Sequence, residues 1–203
     1  MSRFNYHGGK KWDIYKKTAR SAVFLDRDGT IIRQVELLHK VSEVKLLPGV
    51  AQAIREFNRL GYVTVIVTNQ PVVARGISTP KEVDAIHAFL MGRLKKGGAK
   101  IDAVYFCPHH PEATLKKYRM KCKCRKPEIG MILQAAKKHG IDLKKSFMVG
   151  DSTRDTQAGN RAKLKTILVK TGKGGKDVWQ FEAKPDFVVK DLNAAVRVIK
   201  KFS

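Results

Sequence analysis

Short apolar runs alternate with helical stretches along this chain, and the runs end in polar or acidic turns. Residues 21–25 (SAVFL) lead into DRDGT, residues 62–67 (YVTVIV) into TNQ, and residues 146–149 (SFMV) into GDSTRD. Runs this short, rich in β-branched and aromatic residues and closed by polar turns, read as buried strands. Between them, residues 50–60 place Val50, Ala53, Ile54 and Phe57 on one helical face, with Gly61 as the stop. Thr79-Pro-Lys-Glu82 carries a capping box with proline at the first helical position, which predicts a helix to about residue 94. Further helices are expected over 128–139, 153–161 and 192–200, and further strands at 101–106, 166–169 and 187–189. This alternation predicts an α/β fold with a doubly wound, mainly parallel sheet. Ligands of such sheets bind outside the carboxyl ends of the strands, where DRDGT, TNQ and GDSTRD fall. We find no internal repeat. The expected organisation is a basic extension over residues 1–20 and a single domain over 21–203, since 203 residues suffice for one sizeable core.

Composition narrows the environment. No apolar run approaches the ~20 residues that span a bilayer. The N-terminal segment is polar and basic and lacks the apolar stretch of a secretory signal, so a cytoplasmic location and no membrane contact are expected. Lys and Arg number 41 against 18 Asp and Glu, a net charge of +23, which attracts phosphates and other polyanions. The basic residues are spread along the chain, and their densest run lies between Lys116 and Lys126. The three cysteines, Cys107, Cys122 and Cys124, are odd in number and clustered, which argues against a disulfide framework and for a metal.

The candidate chemistry starts at Asp26 and Asp28. Two carboxylates this close repel unless a cation sits between them, so Mg²⁺ fits, and Gly29 lets the chain turn sharply after the pair. Thr68 offers a strand-end hydroxyl to a phosphate oxygen, with Asn69 and Gln70 beside it as candidate substrate contacts. Lys126, just before Pro127, can neutralise charge on a transferring phosphoryl group. Asp151 can complete a metal site, and Asp155 either orients neighbouring groups or favours the N-terminus of its helix.

DxDGT, a strand-end Thr, a Lys and GDxxxD, in this order, resemble the four signature motifs of the haloacid dehalogenase superfamily, over roughly residues 23–155. The resemblance implies the Rossmann-like fold of that superfamily and a phosphatase. Asp26 would be the nucleophile that forms an aspartyl-phosphate, and Asp28 the acid and base. Thr68 and Lys126 would bind the phosphoryl oxygens, while Asp26, the backbone carbonyl of Asp28, and Asp151 would hold Mg²⁺.

Cys107-Pro-His109 and Cys122-Lys-Cys124 form C-x-H-x12-C-x-C, a closed tetrahedral set for a structural Zn²⁺. His110 competes with His109, but alternation with Cys107 favours His109. This loop would staple residues 107–126 and set Arg125 and Lys126 beside the strand ends. No large cap domain is expected. The run CPHHP…CKCRKPEIGM with TNQ…ARG resembles the narrower family of D-glycero-D-manno-heptose 1,7-bisphosphate 7-phosphatases, to which histidinol-phosphate phosphatases are close. That resemblance implies that Arg125 contacts substrate. The family's Ser-Gly after TNQ is replaced here by Pro71-Val72, a change next to the phosphate site that bears on which sugar fits.

The leading expectation is a monomeric phosphatase acting on a small phosphorylated sugar, heptose 1,7-bisphosphate. Histidinol phosphate is the alternative. A polynucleotide 3′-phosphate ranks below both, because no aromatic-interleaved basic stripe for stacking single strands is present.

Overall fold

A computed structural model describes residues 19–177 and 181–203. The expected extension over 1–20 falls almost wholly outside these residues. Six strands form one sheet: β1 (Ala22–Leu25), β2 (Val63–Asn69), β3 (Ala103–Cys107), β4 (Phe147–Gly150), β5 (Lys165–Val169) and β6 (Phe187–Val189). Their order is β3-β2-β1-β4-β5-β6 and every pairing is parallel. The chain steps outward from β1 to β3, then returns to the other side of β1. The switch point therefore lies between β1 and β4, and a crevice opens there at the strand ends.

Strand side chains alternate between two apolar layers. Val23, Leu25, Ile66, Phe147 and Val149 face α1 (Val50–Arg59), α3 (Pro80–Lys96) and α6 (Leu192–Ile199). Ala22, Phe24, Val65, Val67 and Met148 face α4 (Gly130–His139) and α5 (Thr153–Arg161). Ile54 and Phe57 of α1 are fully buried, each worth about 1.5–3 kcal/mol relative to an exposed side chain. The capping box of α3 forms as read: Thr79 Oγ1 accepts from the Glu82 amide at 3.2 Å, and Glu82 Oε2 accepts from the Thr79 amide at 2.7 Å.

Several boundaries differ from the sequence expectations: β3 spans Ala103–Cys107 rather than 101–106, and α3 runs on to Lys96. β2 runs on to Asn69, so Thr68 and Asn69 are strand residues in register with Phe106 and Cys107. The helix expected from residue 128 begins at Gly130, because Glu128 and Gly130 donate backwards to the Arg125 and Lys123 carbonyls and hold the chain in turns. A short helix, α2 (Pro71–Ala74), was not foreseen. Pro71 opens it at a position where a missing amide hydrogen costs no helical bond. The insertions after β1 and β3 carry short 3₁₀ turns at Val41–Glu43 and Lys116–Tyr118 and no large cap among the described residues. No described helix is long and apolar enough to cross a membrane.

Candidate active site

Asp26 leaves β1 with its amide bonded to the Val149 carbonyl of β4, which fixes it at the switch point. Asp151 follows β4, and two glycines shape its seat. A Cβ on Gly29 (φ +77°) or Gly172 (φ +59°) would collide with its carboxylate. The carboxylate accepts from the Lys173 amide at 2.6 Å. Asp155 caps its own helix through the Ser152 amide at 3.2 Å and turns its second oxygen to Lys126, at 2.6 Å. Gly150 leaves room for this carboxyl group, since a Cβ there would overlap it. The Lys126 ammonium, 2% exposed, also lies 2.9 Å from Asp26.

Lys126 is held by its backbone. Asn69 accepts from its amide and donates to its carbonyl, both at 3.0 Å. Both polar ends of the Asn69 side chain are thus committed to the protein rather than to substrate. Gln70 is equally occupied: it accepts from Arg27 at 2.8 Å and donates to Asp28 at 3.0 Å and Thr68 at 2.9 Å. Asn69 and Gln70, expected as substrate contacts, line the cavity while their side chains are engaged by these protein bonds. The nine residues singled out from DRDGT, TNQ, CRK and GDSTRD, from Asp26 to Asp155, all line one cavity of about 260 Å³.

Electrostatics in this cavity invite a cation. Donor oxygens of Asp26, Asp151 and Asp155 come within 4.8 Å of one another. Burial, with the charges of Asp26 and Asp155, pushes the Asp151 carboxyl up to about 8. Burial also raises Asp28 above the ordinary carboxylate range, against the pull of Arg27. The Asp28 carboxylate accepts from Arg27 and Gln70 and is not part of the three-carboxylate set. The carboxylate set suits a hard, oxygen-seeking ion such as Mg²⁺.

The cysteine loop is equally defined. Sγ–Sγ separations among Cys107, Cys122 and Cys124 are 3.1, 3.3 and 3.5 Å, and His109 Nδ1 lies 3.4 Å from Cys124 and 3.7 Å from Cys107. These approach the roughly 3.8 Å edge of a tetrahedron with 2.3 Å zinc–sulfur bonds. Burial raises the Cys107 and Cys124 thiols, so three thiolates side by side need a bound cation. The donor set fits Zn²⁺. His110 stands apart: its Nδ1 accepts from the Glu112 amide at 3.1 Å and its side chain lines the cavity. The sheet register sets Cys107 beside Asn69, and so ties the loop to the residue that clamps Lys126.

With this geometry in place, the comparisons with known proteins can be read. The HAD-hydrolase-like family model matches residues 123–195. The D-glycero-β-D-manno-heptose-1,7-bisphosphate 7-phosphatase of Photorhabdus laumondii is 39% identical over 184 residues, covering 89% of this chain and 97% of the relative. The chain belongs to the heptose-bisphosphate phosphatase family. The Rhodopseudomonas palustris member is 45% identical over 143 residues, 70% of this chain and 79% of its own. The solved D,D-heptose 1,7-bisphosphate phosphatase of B. bronchiseptica, complexed with magnesium and phosphate, superposes with a TM-score of 0.78 at 32% identity, covering 90% of this chain and 99% of that one.

Reading the motifs of this heptose-bisphosphate phosphatase family member left several cavity residues unassigned. Arg75 and Arg154 join Arg125 in the lining, and Lys173 adds a further cation. Both arginines lie inside segments the motifs had marked, ARG and GDSTRD, but nothing in the sequence says which way they face. Arg125 donates to the His109 carbonyl at 3.1 Å, so the zinc loop aims it. Arg27, between the two aspartates, is 1% exposed and bonded to Asp28, Gln70 and His87. A basic residue in an acidic turn reads as solvent-facing, and here it is not.

Proposed function

We propose that this chain removes the 7-phosphate of D-glycero-β-D-manno-heptose 1,7-bisphosphate by way of an aspartyl-phosphate on Asp26. The observation that carries this reading is the Lys126 ammonium, which bridges Asp26 and Asp155 at the floor of a cavity whose wall carries Arg75, Arg125 and Arg154. The floor suits the phosphoryl group that reacts. The three arginines suit a second phosphate on the same sugar, and a monophosphate such as histidinol phosphate leaves them without a partner.

The steps follow from the residues. An oxygen of Asp26 attacks phosphorus, and the bond from phosphorus to the sugar O7 breaks. Asp28, whose pKa burial raises above the ordinary carboxylate range, gives a proton to that oxygen. Water then attacks the aspartyl-phosphate, Asp28 takes its proton, phosphate leaves and Asp26 is regenerated. Thr68 and Lys126 bind the phosphoryl oxygens, and Asn69 and Gln70 hold Lys126 and Asp28 in place. Asp26, the Asp28 carbonyl and Asp151 would hold Mg²⁺, which would supply the positive charge that lets an anionic nucleophile meet an anionic phosphoryl group. Zn²⁺ on Cys107, His109, Cys122 and Cys124 fixes the loop. Residues 21–203 serve as one catalytic unit, working in the cytoplasm as a monomer on a small sugar.

The test is phosphate release, with Mg²⁺, from heptose 1,7-bisphosphate, histidinol phosphate and a 3′-phosphorylated oligonucleotide in parallel. A preference of about 10² or more for the first is expected, since hydrogen bonds to a charged group contribute roughly 1.5–3 kcal/mol each. Equal or better turnover of either competitor refutes the substrate assignment.

A further inference from the structure

Arg27 and His87 have no part in the steps above. Arg27 spreads its guanidinium over three partners. Nε and Nη2 donate to the Asp28 carboxylate at 3.2, 3.1 and 2.9 Å, Nη2 also reaches Gln70 Oε1 at 2.8 Å, and Nη1 meets His87 Nε2 at 3.2 Å. Gln70 closes the circuit by donating to Asp28 and to Thr68. His87 comes from the buried face of α3, is 3% exposed, and tilts against Phe106 with ring centroids 5.5 Å apart. A guanidinium only donates, so Nε2 of His87 must accept, and its proton sits on Nδ1. Burial, reinforced by the charge of Arg27, pushes the His87 pKa down to about 3, so the ring stays neutral and remains an acceptor at physiological pH.

We propose that His87 is a positioning residue for the reaction: by fixing Nη1 of Arg27 it sets the plane of the guanidinium, and with it the direction in which Asp28 faces the leaving oxygen. Arg27 is buried, 1% exposed, and its guanidinium is engaged by Asp28, Gln70 and His87. The Asp28 carboxylate, 17% exposed, is the end of the chain that looks into the cavity. A planar fork held at three points transmits orientation, and a fork held at two can pivot about them. A proton donor displaced by about 0.5 Å or 10–20° loses much of its effect. The inference rests on Asp28 being the acid, as proposed above.

The experiment compares kcat/KM for two kinds of leaving group. The alkoxide of heptose 1,7-bisphosphate needs a proton as it departs, and the p-nitrophenolate of p-nitrophenyl phosphate does not. His87→Leu removes the acceptor and is expected to lower kcat/KM on the heptose substrate by about tenfold or more, and on the aryl phosphate by less than about threefold, because only acid catalysis is impaired. His87→Gln keeps an acceptor oxygen and should restore the heptose value to within about threefold of wild type. If His87→Leu does not fold, His87→Phe keeps a ring of similar shape against Phe106, removes the acceptor, and the same ratio is read. An equal loss on both substrates, or no loss on the heptose, overturns the positioning role. Asp28→Asn is the reference: if it shows no leaving-group split, the acid assignment itself is wrong and the inference falls with it. If it splits while His87→Leu does not, His87 alone is refuted.

Discussion

The ammonium of Lys126 lies between Asp155 and Asp26, and its charge is shared by two carboxylates in a place almost closed to water. Burial alone would lower its pKa, but Asp155 and Asp26 raise it, so the residue stays charged where a phosphoryl group would arrive. His87 shows the opposite response to burial. Its native pKa of about 3 lies below the unfolded value near 6.5, so between these values the unfolded chain binds a proton that the native one refuses. Stability therefore falls as pH drops through this window. From pH 7 to pH 5 this group should withdraw about 2 kcal/mol, at roughly 1.4 kcal/mol per pH unit. Urea titrations at the two pH values should show this loss in the wild type and a loss smaller by about that amount in His87→Gln. Equal losses in both proteins would contradict a buried neutral His87. That Asp26, Asp28, Thr68, Lys126 and Asp151 would meet in one cavity was legible from the motifs and their order. The partners of Arg27 and His87 were not, because a contact between residues 60 positions apart depends on how α3 packs on the sheet.

Among the elements, the loop over residues 107–126 has the least regular structure and depends most on its metal. Its ligands were readable from C-x-H and C-x-C spacing, and the choice of His109 over His110 is decided by the distances to the sulfurs. The strands and helices were readable from periodicity, apart from their ends. β2 runs two residues further than its apolar pattern, because the ladder with β3 continues through Thr68 and Asn69. The start of α4 is displaced by turn bonds from the loop, which no propensity encodes. Because Cys124 immediately precedes Arg125 and Lys126, the cysteine cluster and Lys126 are mechanically linked. Cys124→Ser should lose bound zinc, lower the melting temperature and reduce kcat by about tenfold or more, since metal-site binding energy is also folding energy in such loops. Zinc analysis with steady-state kinetics checks this. A variant without zinc that keeps full activity would show that the loop orders itself unaided.

Across the whole molecule, charge is partitioned by topology. In a parallel α/β sheet the strand carboxyl ends and helix N-termini share one side, and the helix C-termini and strand starts share the other. Arg20, Lys137, Lys138, Lys144, Lys145 and Lys163 are exposed on the second side, next to the last turns of helices, where a positive charge is favoured. The first side gathers the acidic cluster and the arginines of the cavity. Basic residues thus lie on both sides of the sheet, so the net charge of +23 alone says little about substrate. The central claim is that Asp26, held between Lys126 and the neighbouring carboxylates, is the nucleophile of a heptose-bisphosphate phosphatase. Its most direct test is phosphate release from D-glycero-β-D-manno-heptose 1,7-bisphosphate by the wild type and by Asp26→Asn under identical Mg²⁺. The account predicts wild-type turnover and a loss of about 10³-fold or more in a variant that still binds zinc and melts cooperatively. Turnover by Asp26→Asn within about tenfold of wild type would contradict it.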